Sequence, residues 1–204
     1  MVMLMPPYHG ATFRVDEAGV IEHYGRVAEA ISIPIMVQDA PVSGTPLSAQ
    51  FLARMAREIP LLAYFKIEVP GAAAKLRALI ELAGDTIEGP FDGEESITLL
   101  PDLDAGATGT MPSGMIADVL GKVVRLYLGG DRAAAAELWE RHLPLINYEN
   151  RQCGLRACKA LMKEGGVIRS EATRHPLPPL PAPTRAGLVE LARRVDATVL
   201  RWGK

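Results

Sequence analysis

Lys66 stands inside LAYFKIE at 62 to 68, a lysine set among apolar and aromatic neighbours. Read as a strand, this run alternates its side chains, so Tyr64, Lys66 and Glu68 share one face and Phe65 and Ile67 take the other. A desolvated lysine amine can attack a 2-keto group, and a carboxylate two residues on is placed to give or take a proton in the same space. The same residues also fit a structural ion pair between Lys66 and Glu68, or a lysine that snorkels from a strand end. Residue types alone do not separate these readings. Gln38 and Asp39 close a second apolar run, IPIMVQ at 33 to 38, just ahead of Pro41 and the Gly44 turn. One of the two must face the interior with Lys66 and the other away from it, and the order of residues leaves open which.

The other polar groups are weaker candidates. Tyr8 follows a strand end in MPPYHG and reads either as a loop aromatic or as a site residue. The run GPFDGEES at 89 to 96 holds Gly89 and Asp92, which join Gln38 and Tyr8 as expected substrate-binding residues. Its Gly93 would open a helix whose unpaired amides favour a carboxylate or phosphate, although Asp92, Glu94 and Glu95 fit an ordinary acidic helix start as well. Asn147, Asn150, Arg151 and Gln152 read as a cap at the start of a helix. His9 and His23 have no spaced partners, and Cys153 and Cys158, five apart, suit neither a metal site nor a disulfide. No metal is expected, and the thiols are expected to be reduced.

These residues need a scaffold, and composition allows one. Of 204 residues, 49% are hydrophobic and 23% charged, which is the balance of a chain with a packed core. A net charge of -2 argues against a surface that neutralises many phosphates, so no nucleic-acid partner is expected. No apolar run approaches the ~18 residues of a membrane span, and the opening MVMLMPPY has no basic segment or cleavage site, so a cytoplasmic protein is expected.

Four segments read as buried parallel strands, at 2 to 5, 33 to 38, 62 to 68 and, more weakly, 86 to 91, with a short fifth at 107 to 111. Amphipathic helices alternate with them, at 16 to 30, 48 to 58, 71 to 82 and 94 to 104. That order calls for a parallel α/β sheet with right-handed crossovers. An open doubly wound sheet is disfavoured because no strand is followed by a Gly-rich dinucleotide fingerprint. Polar residues at the C-terminal ends of strands favour part of a (β/α)8 TIM barrel. From residue 115 only helices are predicted, at 115 to 128, 131 to 146, 150 to 164 and 184 to 197, with the Pro-rich RHPLPPLPAPT at 174 to 184 as a strap. The domain expectation is therefore a partial barrel over 1–114 and a helical region, beginning with the last barrel helix, over 115–204.

The Lys66 strand, the strand that ends before Pro41, the PPY turn and the GATGTM segment together resemble the dihydrodipicolinate synthase and N-acetylneuraminate lyase superfamily of class I aldolase-type barrels. The likeness runs over essentially the whole chain. It implies that Lys66 is the Schiff-base lysine of the sixth barrel strand, that no cofactor is needed, and that the protein is a homo-oligomer, a dimer or tetramer. Within the superfamily, PPYHGATFRV, IPIMVQDAP, YFKIE, IEGPFDGEESITLL, LINYENRQ and KALMKEGGVI resemble the branch that dehydrates L-2-keto-3-deoxyarabonate to 2-oxoglutarate semialdehyde. The implied partner is thus a small 2-keto-3-deoxy sugar acid, with Glu68 as the acid or base.

Two departures qualify the likeness. Gln38 stands where many members carry a proton-relaying tyrosine, which an amide cannot replace, and this speaks against a pyruvate-type aldolase. Tyr8 matches a second family tyrosine that in many members reaches across a subunit interface. Counted against the family, the chain starts at the fourth strand, so strands four to eight are expected, without the loop that usually grips the substrate carboxylate. Three functions follow: a dehydratase, an aldolase, or a catalytically silent piece that serves assembly. The 204-residue chain by itself is expected to be poorly active.

Overall fold

The computed structural model describes residues 1–7 and 14–203; the expectations for Tyr8 and His9 lie outside them. The chain forms two compact units, Met1–Glu94 with Thr98–Met111, and Glu95–Ile97 with Pro112–Lys204.

In the first unit strands and helices alternate: β1 (Val2–Leu4), α1 (Glu17–Ala30), β2 (Ile35–Asp39), α2 (Ala49–Glu58), β3 (Leu62–Ile67), α3 (Ala72–Ala83), β4 (Gly89–Asp92), α4 (Leu99–Asp104) and β5 (Gly109–Thr110). The caps are those the sequence supplies. The Asp16 carboxylate accepts from the Gly19 amide at 2.8 Å and starts α1, and the Ser48 hydroxyl accepts from the Phe51 amide at 3.0 Å and starts α2. Phe51, Leu52 and Met55 of α2 and Leu76 and Leu79 of α3 are buried, which gives each helix one apolar stripe to pack.

The five strands form one parallel sheet in the order β1-β2-β3-β4-β5. Chain order and spatial order coincide, with no reversal of the kind that marks a doubly wound sheet; this is how consecutive units of a β/α barrel are laid down. Register places Gln38 beside Lys66 and Lys66 beside Phe91, while Asp39, Ile67, Asp92 and Thr110 form the next row. The β2 and β3 pairing slips between Ile35 and Met36, so strict alternation counted from the start of β2 fails at that point.

The helix expected at 94 to 104 begins only at Leu99. Glu94, Glu95 and Ser96 instead adopt φ of 47°, 55° and 71°, three successive side-chain-bearing residues in the left-handed region that disfavours a Cβ.

The second unit is helical: α5 (Ala117–Leu128), α6 (Arg132–Tyr148), α7 (Arg156–Glu164) and α8 (Ala182–Arg194). Asp131 caps α6 by accepting from the Ala134 amide at 3.0 Å. Two expectations change here. The helix expected from 150 begins at Arg156, because α6 runs on into a π-helical turn, Glu149–Cys153, and breaks at Gly154 with φ 59°. The cluster Asn147, Asn150, Arg151 and Gln152 therefore lies in the end of α6 and the wide turn, where Asn150 Nδ2 donates back to the Ile146 carbonyl at 3.1 Å, and it does not cap the start of a helix. The Pro-rich strap is held against α7 by Arg156 Nη1, which donates to the Pro178 carbonyl at 3.1 Å, and just before the strap the Lys159 ammonium donates to the Ala172 carbonyl. In the same unit the Trp139 indole N–H donates to the Ser96 carbonyl at 3.0 Å, holding the left-handed turn.

Candidate active site

Lys66 lies near the C-terminal end of β3 and is buried, 6% exposed, and its amine donates to Glu68 Oε1. Glu68 is just past the strand, and its other oxygen, Oε2, accepts from Gln38 Nε2 at 2.6 Å. Two residues named from the sequence, Lys66 and Gln38, thus converge on the carboxylate of a third, Glu68. The Glu68 amide also donates to the Asp39 carbonyl at 2.9 Å, so main chain and side chain of Glu68 are both tied to the end of β2. Gln38 is the member of its pair that turns toward Lys66.

Asp39 turns the other way. It is 2% exposed, and its Oδ2 meets Lys75 Nζ of α3 at 2.5 Å. Burial pushes the Asp39 carboxyl above its ordinary range, and the Lys75 ammonium opposes that shift only in part. Burial, with the Asp39 charge adding to it, raises the phenol of Tyr24, whose hydroxyl donates to the Leu4 carbonyl at 2.7 Å.

The two candidates from the 89 to 96 run take different places. Asp92 is fully buried in the row that holds Asp39 and Ile67, and its Oδ2 accepts from the Thr110 hydroxyl at 2.6 Å. It is not brought to the Lys66 and Glu68 pair. Gly89 is on the Lys66 side of the sheet, opposite Tyr64, where a Cβ would come within 2.7 Å of the Tyr64 ring. Its lack of a side chain leaves room for the edge-on contact between Tyr64 and Phe91, whose ring centroids are 6.2 Å apart.

Two further residues bear on the site, and the sequence placed neither of them beside Glu68 or Asp39. A Cβ on Gly93 would lie 2.0 Å from Glu68 Cγ and 2.8 Å from the Ile67 carbonyl oxygen, so a glycine there lets Glu68 lie flat across β4's end. The expected ligand-binding helix start at Gly93 is absent. Lys75 is the other, and its run AAAKLR carries nothing to set it apart from an exposed helix lysine. Among the described residues no group of three His, Cys, Asp or Glu could hold a metal, and no helix is long and apolar enough to cross a membrane.

A buried amine against a carboxylate, the carboxylate itself anchored by an amide and by main chain, suits carbonyl addition followed by proton transfer. Comparisons with known proteins say what the chain is similar to. The chain is 62% identical over 202 residues to an L-2-keto-3-deoxyarabonate dehydratase of Azospirillum brasilense, covering 99% of this chain and 65% of that protein. A 4-hydroxy-tetrahydrodipicolinate synthase of Syntrophobacter fumaroxidans is 28% identical over 91% of the chain and 62% of its own length. Among solved structures, dihydrodipicolinate synthase of Rhodopseudomonas palustris superposes with a TM-score of 0.81 at 26% identity, over 94% of this chain and 65% of that one. The Aquifex aeolicus enzyme, at 20% identity and a TM-score of 0.85 over 96% and 65%, shows the shared fold. The chain thus spans about two thirds of the length of these relatives. The family profile of the dihydrodipicolinate synthetase family matches residues 1–194, and the chain belongs to that family.

Proposed function

We propose that the protein is a hydro-lyase that converts L-2-keto-3-deoxyarabonate to 2-oxoglutarate semialdehyde through a Schiff base on Lys66. The observation that carries this reading is the Lys66, Glu68 and Gln38 cluster, in a chain 62% identical to a dehydratase of that name. The Lys66 amine adds to the C2 carbonyl and the adduct loses water to give an iminium, which acidifies C3–H. Glu68 takes the C3 proton, and the enamine expels the C4 hydroxyl, protonated, as water. A proton then leaves C5 and one returns to C3, and the resulting enol ketonises to the C5 aldehyde before hydrolysis frees Lys66. One water is lost in total, and the oxidation of C5 to an aldehyde is matched by the reduction of C4 within the same molecule, so no redox partner is needed. Gln38, an amide, donates to Glu68 and cannot serve as a phenolic relay, which favours dehydration over aldol cleavage.

The five strands are taken as strands four to eight of an eight-stranded barrel, the first three β-α units lying outside this chain, with 1–114 as barrel and 115–204 as the helical region. Tyr8 stays a proposed substrate-binding residue, whereas Gly89 acts by admitting the Tyr64 and Phe91 contact on the Lys66 side and Asp92 by fixing β4 to β5. A cytoplasmic homo-oligomer, a dimer or tetramer, completes the proposal. Exposed Leu128, Leu155 and Trp202 supply apolar surface for such assembly. In a folded protein that carries the whole barrel, borohydride in the presence of a 2-keto acid should attach the acid covalently to Lys66, and semialdehyde should form from the sugar acid. Labelling that persists in Lys66→Ala would sink the assignment.

A further inference from the structure

Lys75 lies nine residues past Lys66, on α3, and its amine meets two acceptors at once. It pairs with Asp39 Oδ2 at 2.5 Å and donates to the Leu47 carbonyl, at the far end of the loop that follows β2. The end of β2, where Asp39 stands, in turn carries two connections to Glu68. The Asp39 carbonyl accepts from the Glu68 amide, and its neighbour Gln38 donates to the Glu68 side chain. From these contacts we infer that Lys75 is a positioning residue for the Lys66 and Glu68 pair, acting through Asp39 and the end of β2.

The physical reasons are burial and shortage of alternatives. Asp39 is almost fully enclosed, and the charged and titratable groups that face it are Lys75 from α3, Tyr24 from α1 and Glu68 past β3. Among the described residues Lys75 is the one cation that faces Asp39, and it compensates the Asp39 charge and fixes which way the carboxylate points. With Asp39 clamped, Gln38 is presented to the opposite side of the sheet by strand alternation, at the height of Lys66. Loosening the clamp frees the end of β2, and the Gln38 and main-chain contacts to Glu68 loosen with it. Reactions that depend on placement lose about 100-fold for a displacement near 1 Å.

The inference rests on the proposed role of Lys66 and Glu68, and its test separates the two. Lys75→Met leaves a buried charge unmatched and is liable to misfold, so the decisive variant is Asp39→Asn with Lys75→Met, in which neither charge remains; Lys75→Arg keeps the cation. In the double variant kcat should fall about 10- to 100-fold with KM within about threefold of the parent, borohydride trapping at Lys66 should persist, and Lys75→Arg should retain most of the turnover. Amide exchange at Glu68 should rise about tenfold or more in the double variant while the α3 amides stay protected. A folded double variant with parental exchange at Glu68 overturns the inference, as does uniform loss of protection over α3 and the sheet. Exchange is read without substrate, so a parent protein that carries the whole barrel and makes no semialdehyde would overturn the proposed reaction and leave this measurement to decide the role of Lys75.

Discussion

Glu68 is held at three points: Lys66 and Gln38 each take one carboxylate oxygen, and the Asp39 carbonyl takes its amide. Glu68→Gln keeps its size and removes proton transfer. Turnover should fall by about two to four orders of magnitude while borohydride trapping at Lys66 survives; near-parental turnover would return Glu68 to a structural part. Gly93→Ala tests the same group from the other side. The new methyl would meet Glu68 Cγ and the Ile67 carbonyl at distances no real contact tolerates, so Glu68 must swing away. Stability should drop by about 1–3 kcal/mol, as for other overpacked sites, together with turnover. Thermal melts and steady-state kinetics on the one variant check both. That Lys66 and Glu68 meet on one face was legible in the sequence, because strand alternation brings residues two apart together. The choice between Gln38 and Asp39 was not, since it depends on a register that slips at Ile35 and Met36, and Lys75 looked like any helix lysine.

Among the elements, the β-branched and apolar runs made the strands readable to within a few residues, and the acidic and Ser caps did the same for α1 and α2. The turn at Glu94–Ser96 could not be read, because Glu, Glu and Ser carry no sequence signal for left-handed backbone and the Trp139 bond that holds it comes from 43 residues away. The π-helical turn at Glu149–Cys153 was equally hidden, and it carries a titrating group. Glu149 is 5% exposed, and burial, with the Glu95 charge adding to it, lifts its carboxyl to about 7 from an ordinary 4.5, against the lowering effect of a Ser113 hydrogen bond. The folded state therefore holds the proton more tightly than the unfolded chain. Its stabilising effect is fully present below about pH 4.5, falls as pH rises toward about 7, and is lost above that, a change on the order of 3 kcal/mol. Glu149→Gln should flatten that dependence and melt higher than the parent at pH 8. Parallel melting curves for the two proteins from pH 5 to 8 would show that Glu149 does not titrate in this range.

For the whole molecule, strand order β1 to β5 leaves β1 and β5 each with one neighbour among the described residues, and Met3 on β1 is 40% exposed. An apolar strand edge invites pairing with another chain, and a charge on it discourages that. Met3→Lys should lower self-association of this chain in light scattering at high concentration with helicity unchanged; unaltered scattering would place the sticky surface elsewhere. The same edge governs how the molecule ages in air. Burial, with the nearby Glu149 charge, pushes the Cys153 thiol up to about 11, and Cys158 is raised by burial too, so neither offers appreciable thiolate at neutral pH. Oxidants find thioethers first: Met1, Met3 and Met5 are all well exposed. Peptide mapping after dilute peroxide should show sulfoxide at these three methionines before any change at either cysteine, and the polar sulfoxides would begin to wet the β1 edge while the helical unit is still chemically intact.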